Sequence, residues 1–159
     1  MDSLGFGGGC HWCTESVFLF LKGVDKVRQG WISSEPPNDD YSEAVLIDFD
    51  ADIISTKTLI LIHLTTHSAT SNHPMRAKYR SAIYYFSKAQ EEEIEELLEE
   101  LQKEFKSPLV TEVLPHAAFK ENEEQYREYY SKNRGNTFCD RYIEPKKQLL
   151  QSQFNAYLK

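Results

Sequence analysis

Cysteine is scarce in this chain of 159 residues, which holds only three cysteines and two tryptophans. Three thiols are too few, and odd in number, for a disulfide framework, so we expect a reducing, cytoplasmic setting. Long apolar runs are also missing, because none approaches the roughly 18 residues that a membrane-spanning helix needs. The first residues, Met-Asp-Ser-Leu, lack the basic and apolar regions of a secretory signal. We therefore expect no membrane association.

Positive charge is in deficit, because 25 Asp and Glu outnumber 18 Lys and Arg and give a formal net charge of −7. Phosphate binding requires clustered Lys and Arg, so nucleic acid is not an expected partner. Residues 88–106 carry much of the acidic charge, and their apolar side chains recur at helical spacing. This pattern predicts an amphipathic helix whose acidic side faces solvent.

Apolar periodicity predicts alternating strands and helices along the chain. The expected strands cover residues 3–8, 24–32, 43–50, 79–86 and 109–115. The expected helices cover residues 14–23, 55–63, 88–106, 122–133 and 145–158. We predict one α+β domain over residues 1–159, a two-layer sandwich with a mixed, mostly antiparallel sheet, covering helices and a ferredoxin-like core. We expect it to be a monomer.

The stretch GFGGGCHWCTES, residues 5–16, places two of the three cysteines directly after three consecutive glycines. Consecutive glycines cost conformational entropy, which indicates a turn with unusual backbone angles or a close backbone approach. The turn lies between the first expected strand and the first expected helix, so Cys10 stands near a helix N-terminus. Free N–H groups and the helix dipole favour a thiolate there. Cys10 is therefore the candidate nucleophile.

Other uses of this stretch fit the residues less well or stay open. The glycines match the dinucleotide-binding pattern G-x-G-x-x-G only in part, and no phosphate-binding lysine follows. Candidate zinc ligands stand at Cys10, His11, Cys13 and Cys139. The side chains of adjacent Cys10 and His11 diverge, however, and the sequence has no second C-x-x-C pair, so we expect no metal. A thioredoxin-like C-x-x-C redox site stays open from local sequence alone.

Sequence blocks along almost the whole chain resemble the type A peptide methionine sulfoxide reductases, in that family's order. In this chain, GGGCHWCTE resembles the family's glycine-rich turn with its Gly-Cys pair. GW at Gly30 and Trp31 resembles the family's motif on the next strand. The family's acidic strand residue matches Glu43 in YSEAV, and its site tyrosine matches Tyr79 in KYRSAIYY. TEVLPHAAFKENEEQYREYY and FCDRYIEPK follow as C-terminal blocks. The resemblance spans residues 5–147, which makes it far more specific than the C-x-x-C motif.

This resemblance implies a thiol-dependent reduction of methionine-S-sulfoxide, free or in proteins, to methionine, and protein repair after oxidation. No flavin, haem, nicotinamide or other cofactor is required. Cys10 would take the sulfoxide oxygen and become a sulfenic acid. Glu43 would protonate that oxygen, for which burial must hold it partly protonated, and Tyr79 would hold the same oxygen.

The expected substrate-binding residues also carry departures from the family pattern. Trp12 and Trp31 would form apolar walls against the S-methyl group, and His11 would contact the substrate. His11 stands where Phe is usual, and Trp31 replaces a tyrosine. The nucleophile and the acid are intact, so these departures bear on rate and substrate preference rather than on reaction type.

The loop before the tyrosine block lacks the aspartate that the family normally places in its site. No acidic residue lies between His67 and Tyr79. Asn72 or His73 is the candidate replacement for its hydrogen bond.

Two thiols compete to convert the Cys10 sulfenic acid into a disulfide. Cys13 lies one helical turn away, whereas Cys139 lies in RGNTFCDRY, where Gly135 and Asn136 indicate a loop. The resemblance favours a C-terminal resolving cysteine, so Cys139 is the expected resolving thiol and Cys13 the alternative. Thioredoxin or a similar dithiol protein would then reduce the disulfide.

Two functions of other kinds remain consistent with the residues. A general dithiol-disulfide oxidoreductase would use Cys10 and Cys13 and would not need Glu43 or Tyr79. A non-catalytic module would bind oxidised methionine without reducing it.

Overall fold

The computed structural model describes residues 1–72 and 74–159. Its strands are β1 (Asp2–Gly7), β2 (Val24–Ser33), β3 (Ser42–Phe49), β4 (Ala82–Tyr85), β5 (Glu112–Pro115) and β6 (Ala118–Glu121). Its α-helices are α1 (His11–Leu19), α2 (Thr56–Thr66), α3 (Lys88–Leu101), α4 (Tyr129–Asn133) and α5 (Glu144–Gln153). Within the described ranges, no helix has both the length and the apolar character needed to cross a bilayer.

All six strands form one sheet in the order β5-β4-β1-β3-β2-β6. The four central strands pair antiparallel, and they arise from the element order β1-α1-β2-β3-α2-β4. This connectivity is the ferredoxin-like arrangement. β6 adds antiparallel to β2, and β5 adds parallel to β4. The predicted α+β class and the mixed, mostly antiparallel sheet are confirmed.

Side chains alternate between the two faces of the sheet and so divide the core. On β3, Val45, Ile47 and Phe49 join the main apolar cluster, which also contains buried residues of α1, α2, α3 and α5. Neighbouring positions point to the opposite face, where Ala44 packs with Tyr84 in a smaller cluster. Glu43 lies two residues before Val45 and therefore points to the same face of the sheet, the face that the helices cover. Its carboxylate is buried beneath the helices rather than exposed to solvent.

The segment after β5 differs from its sequence prediction. Residues 118–121 form β6, which the sequence analysis did not predict, and the predicted helix over 122–133 is wrong. A short 3₁₀ turn, Glu124–Tyr126, precedes α4, and Glu128 between them has a φ of 52°. A non-glycine residue in the left-handed region breaks a helix. Helical periodicity in this segment is therefore overridden by tertiary contacts.

Glu15 of α1 supplies those contacts. Its carboxylate, which is buried, accepts hydrogen bonds from the backbone N–H groups of Glu128 (2.7 Å) and Tyr129 (3.1 Å). It also accepts from Gln29 Nε2 at 2.9 Å, and Asn122 Nδ2 donates to Gln29 Oε1 at 2.7 Å. Burial raises the pKa of Glu15, and the three donors oppose this shift. The network binds the C-terminal segment to α1 and β2.

We expect Glu15→Ala to destabilise the fold by roughly 3 kcal/mol, because it leaves several buried donors without an acceptor. Urea unfolding followed by circular dichroism measures the loss. Glu92→Ala on the exposed side of α3 is the matched control and should change stability by less than about 0.5 kcal/mol. Equal effects of the two substitutions would show that Glu15 does not hold the C-terminal segment.

Candidate active site

Cys10 occupies the turn that joins β1 to α1, as the N-cap residue of the helix. Its φ of −59° and ψ of 131° are extended, and its carbonyl accepts from Cys13 N at 3.1 Å and Thr14 N at 3.2 Å. Its side chain makes no capping hydrogen bond, so the sulfur is free for other contacts. The predicted start of the helix at residue 14 is three residues late, because α1 begins at His11.

The glycines before Cys10 allow two close approaches of the chain. A Cβ atom on Gly8 would lie 2.4 Å from the His67 ring, and one on Gly7 would lie 3.0 Å from the carbonyl oxygens of Arg80 and Glu43. Only glycine avoids these collisions without rearrangement. Gly7 and Gly8 therefore bring the start of α1 directly against β3 and the end of α2.

Glu43 reaches the start of α1 from β3. Its Oε1 accepts the backbone N–H of His11 at 3.2 Å, and its side chain is only 8% exposed. Lys78 Nζ lies 3.6 Å from Glu43 Oε2. The carboxylate thus caps the helix that begins at the nucleophile, as an N-cap side chain would do locally.

His11 lies between Glu43 and β2. Its Nδ1 is 2.8 Å from the carbonyl oxygen of Gly30, and its Nε2 is 3.6 Å from Glu43 Oε1. Its ring meets that of Trp31 edge-on, with centroids 5.1 Å apart. Burial lowers the pKa of His11, while Glu43 opposes the shift. Trp31 and Glu43 are direct cross-strand partners, which explains why all three side chains meet.

Tyr79 is held on the other side of Cys10 by the chain before β4. Its N–H donates to Met75 O at 2.9 Å, and the neighbouring Lys78 carbonyl accepts from Glu43 N at 2.9 Å. Arg76 Nη1 donates to the carbonyls of both Tyr79 (2.9 Å) and Gly8 (3.1 Å). These bonds fix Tyr79 beside the glycine turn. Contact with the Tyr79 hydroxyl and the Glu43 carboxylate raises the pKa of Lys78.

The three cysteines, all free, meet in one apolar cluster. Cys13 and Cys139 are buried together with Tyr130 and Ile143, and Cys10 packs against this group. Interaction between the Cys10 and Cys13 thiols lowers the pKa of Cys13 and raises that of Cys10. The first ionisation therefore belongs to the pair rather than to either thiol alone.

Cys139 lies in a helical turn instead of the loop indicated by the sequence. The turn Cys139–Ile143 leads directly into α5, and Asn136 caps it by accepting from Cys139 N at 2.8 Å. Burial raises the pKa of Cys139, which has no exposed surface. Asn136 therefore starts a helical turn rather than marking a loop.

A cavity of about 850 Å³ opens beside the nucleophile, between α1, α2 and α5. Cys10, Cys13 and Tyr79 line it, together with Phe138 and Lys146 among others. Lys146 donates from Nζ to the carbonyl of Thr66, and its positive charge favours the thiolates of Cys10 and Cys13.

Several of the predicted site residues do not border this cavity. The lining does not include His11, Trp12, Trp31, Glu43 or Cys139. Trp12 stacks on Tyr129 with ring centroids 3.9 Å apart, and Phe138 meets it edge-on at 5.4 Å. Trp12 thus contacts the C-terminal segment.

Asn72 and His73 are the candidates to replace the aspartate that this loop lacks. Asn72 is exposed, and His73 lies outside the residues that the structure describes. Sequence reasoning did not single out Lys146 as a site residue, although it lies in the matched block FCDRYIEPK. Across residues 1–72 and 74–159, no group of three or more His, Cys, Asp or Glu side chains is arranged to hold a metal ion.

Comparison with known proteins identifies the family. The model for peptide methionine sulfoxide reductases matches residues 2–158. The peptide methionine sulfoxide reductase MsrA of Deinococcus radiodurans is 35% identical, over 97% of this chain and 82% of its own length. Reduced Mxr1 from Saccharomyces cerevisiae shares the fold, with a TM-score of 0.75, 22% identity and coverage of 87% of this chain and 88% of its own. Mxr1 solved in complex with Trx2 gives a TM-score of 0.64 and 21% identity, over 78% and 82%.

This chain belongs to the peptide methionine sulfoxide reductase family. It is an oxidoreductase that reduces methionine sulfoxide by thiol chemistry. The resemblance drawn from the sequence blocks is confirmed.

Two histidines near the end of α2 lie under the glycine turn. His63 Nε2 donates to Gly7 O at 2.8 Å, and His67 Nδ1 donates to His63 O at 2.5 Å. His67 Nε2 then accepts from Ser81 Oγ at 2.7 Å. Burial lowers the pKa of both rings, that of His67 to about 4. Both are therefore neutral in the folded protein at neutral pH.

We expect these histidines to make the fold acid-sensitive. A lowered pKa means that the unfolded chain binds protons first, so the stability contribution is present above the ordinary value of 6.5 and is lost as pH falls toward about 4. His67 alone contributes at most about 3 kcal/mol to this loss.

Urea unfolding at about pH 7.5 and about pH 4.5 measures the effect. His67→Gln keeps a donor and an acceptor but takes up no proton, so it should lose clearly less stability between the two conditions than the wild type. Equal losses would mean that His67 is not buried in its neutral form.

Proposed function

We propose that this enzyme reduces the S epimer of methionine sulfoxide, free or within peptides, through a sulfenic acid on Cys10. The observation that carries the proposal is the position of Cys10: a partly exposed thiol at the N-terminus of α1, beside a cavity, with the Glu43 carboxylate bonded to the next backbone N–H. The nucleophile and the acid thus meet at one turn, and the nucleophile also borders the cavity.

The reaction transfers one oxygen atom from sulfur to sulfur. The Cys10 thiolate attacks the sulfoxide sulfur, whose oxygen is a poor leaving group as an anion. An S–S bond forms, and Glu43 donates a proton to that oxygen. The resulting hydroxyl group passes from the substrate sulfur to the Cys10 sulfur, so that the S–O bond to the substrate and the S–S bond break while a Cys10 S–O bond forms. Methionine leaves with its sulfur reduced by two electrons, and Cys10 is oxidised to Cys–SOH. The net change is sulfoxide plus thiol giving sulfide plus sulfenic acid, with no proton gained or lost.

The surrounding side chains support the transition state. Tyr79 lines the cavity beside Cys10, in a position to hold the sulfoxide oxygen with its hydroxyl group. Lys78, 3.6 Å from Glu43 Oε2, stabilises the carboxylate that remains after the proton has left. Trp31 provides apolar surface on the His11 side. A pocket that fixes the methyl group, the oxygen and the rest of the chain accepts only one epimer of the sulfoxide, so the R epimer should be inert.

The geometry favours Cys13 as the thiol that resolves the sulfenic acid. Cys10 has extended backbone angles and precedes the helix, so its side chain is free to meet Cys13 in the first turn. The two residues belong to one apolar cluster, and interaction with Cys10 lowers the pKa of Cys13. Condensation of Cys10–SOH with Cys13–SH gives a disulfide and water. Cys139, favoured by the sequence analysis, packs in the same cluster and remains the competing resolving thiol.

We further propose that thioredoxin or a similar dithiol protein reduces this disulfide. Mxr1 has been solved in complex with Trx2, which supports a reductant of this kind for the present chain. The monomeric state, the cytoplasmic setting and the extent of one catalytic domain over residues 1–159 belong to the same proposal. They rest on the composition, the cysteine content and the absence of a linker in the sequence.

A general dithiol-disulfide oxidoreductase is the second candidate, because Cys10 and Cys13 form a C-x-x-C pair at a helix N-terminus with contacting thiols. Unlike sulfoxide reduction, this activity does not need Glu43 as a proton donor. Insulin reduction without sulfoxide turnover would favour it.

Glu43→Gln should slow oxygen transfer by about 10²-fold or more, because the amide has no proton of suitable acidity to donate. Its oxygen can still accept the His11 N–H, so the fold should persist. The measurement is methionine release from the S epimer with thioredoxin and its reductase, beside the reaction of Cys10 with a disulfide reagent. Glu112→Gln on exposed β5 is the control. Undiminished sulfoxide turnover in Glu43→Gln would contradict the acid role, and no turnover in folded wild type would overturn the function.

Separate serine variants decide the resolving thiol. Cys13→Ser should release methionine once and then stop with a sulfenic acid that dimedone traps, since the thiol proposed to resolve it has been removed. Cys139→Ser should retain most thioredoxin-dependent turnover. Mass mapping of the oxidised wild type should find Cys10 bridged to Cys13. A Cys10–Cys139 bridge, with turnover lost in Cys139→Ser, would reverse the assignment.

A further inference from the structure

A row of three side chains crosses the sheet at the acid. Trp31 on β2 is the direct cross-strand partner of both Glu43 on β3 and Lys120 on β6. Direct partners project to the same face of a sheet, so the three side chains follow one another along one line. Lys120 Nζ lies 6.0 Å from the centroid of the Trp31 ring. The line therefore runs from the buried acid across a half-buried aromatic ring to an exposed ammonium group.

A second lysine stands at the other end of this line. Lys78 Nζ lies 5.1 Å from the centroid of the Tyr79 ring and 3.6 Å from Glu43 Oε2, and 57% of its side chain is exposed. Two aromatic residues expected to contact the sulfoxide, Trp31 and Tyr79, thus each have a lysine ammonium group over the ring, as in a cation–π contact. Positive charge flanks the acid on both sides, although the chain carries a net charge of −7.

Both lysines lack a negative partner when the substrate binds. Among the residues that the structure describes, no carboxylate lies within ion-pair distance of Lys120, and the carboxylate of the adjacent Glu121 is paired with Arg127 at 2.6 Å. Lys78 has Glu43 as its ion-pair partner, but Glu43 must hold a proton to act as the acid and is then uncharged. A carboxylate supplied by the substrate would therefore give each ammonium group a partner.

We propose that this surface selects oxidised methionine in acidic peptides, with Lys120 and Lys78 binding carboxylates on either side of the methionine sulfoxide. The inference rests on the proposed function and names its substrate class. Two strand spacings, about 10 Å, separate Lys120 from Glu43. The chain at Lys78 lies one hydrogen bond further on, because its carbonyl accepts from Glu43 N at 2.9 Å.

This spacing sets the positions of the acidic residues in the peptide. An extended peptide covers roughly 13 Å in four residues, and side chains two positions apart project to the same side. Acidic side chains two positions before and two positions after the methionine sulfoxide therefore match the two lysines. The net charge of −7 repels an acidic peptide at long range, so a preference for such a peptide must arise from these local contacts.

Kinetics with matched peptides test this selection at low ionic strength. The peptides carry methionine-S-sulfoxide with Asp, Ala or Lys two positions away on both sides. The Asp peptide should show a kcat/KM roughly tenfold above that of the Lys peptide, through KM, since the flanking contacts are the same in the ground state and the transition state. The preference should shrink at about 0.5 M salt, where exposed charges are screened.

Lys120→Met removes one of the two charges and keeps an unbranched side chain against Trp31. The KM of the Asp peptide should rise roughly threefold relative to that of the Ala peptide, and Lys120→Arg should behave as the wild type. Lys120→Glu should reverse the order of the Asp and Lys peptides. Lys26→Met is the matched control, because Lys26 is exposed near the opposite end of β2.

The control arms separate this surface from other sources of the same effect. An equal change in Lys26→Met would indicate general surface charge and would overturn the inference. An equal loss with free methionine-S-sulfoxide would assign Lys120 to the carboxylate of the amino acid itself and would overturn the selection of acidic peptides. Turnover of no substrate by folded wild type would overturn the proposed function, whereas equal kcat/KM for all three peptides in an active enzyme would overturn this inference alone.

Discussion

The hydrogen bond from His11 N to Glu43 Oε1 joins the two halves of this site. A helix N-terminus packed into the protein needs acceptors for its free N–H groups, and the usual acceptor is the side chain of the N-cap residue. Cys10 occupies that position, but its side chain makes no hydrogen bond to the helix. Glu43 supplies the missing acceptor from β3, thirty-two residues along the chain. The acid therefore holds the helix in place, and the cysteine keeps its sulfur for chemistry.

The capping of α1 by Glu43 instead of Cys10 depends on the glycine turn. Gly7 and Gly8 admit the backbone of β3 and the His67 ring at distances that a Cβ atom would prevent. Glu15, one turn into α1, then binds the C-terminal segment that carries Tyr129. Trp12 stacks on Tyr129 in the same region, so the helix that begins at the nucleophile is also the surface on which the C-terminal segment folds. The cysteine cluster follows from this arrangement.

Short motifs and apolar periodicity were sufficient for the order of the central elements and for the family. Apolar periodicity predicted the strand over residues 43–50, which carries Glu43. Features that depend on distant partners were not predictable in this way. β6 and the kink at Glu128 arise from hydrogen bonds to β2 and to Glu15, which lie far away in sequence.

The site shows the same limit. Cys10, Glu43 and Tyr79 followed from the matched blocks, and the structure brings them to one turn. The approach of Lys78 to Glu43 and of Lys146 to the thiols depends on how loops and α5 pack, which local sequence does not specify. The ring of Trp12, an expected wall of the substrate site, stacks on Tyr129, and this contact with the C-terminal segment is not specified by local sequence. Local propensity placed the first residue of α1 too late in the sequence, because it takes no account of a cap that another strand supplies.

The most direct measurement of thiol-based oxygen transfer at this turn is a single-turnover reaction with methionine-S-sulfoxide and no added reductant. Wild-type protein should release stoichiometric methionine while the Cys10 thiol disappears into a disulfide or a trappable sulfenic acid. Cys10→Ser, with its fold verified, should release none. Methionine release from Cys10→Ser, or binding of sulfoxide by the wild type without any methionine released, would contradict a reaction carried by this cysteine.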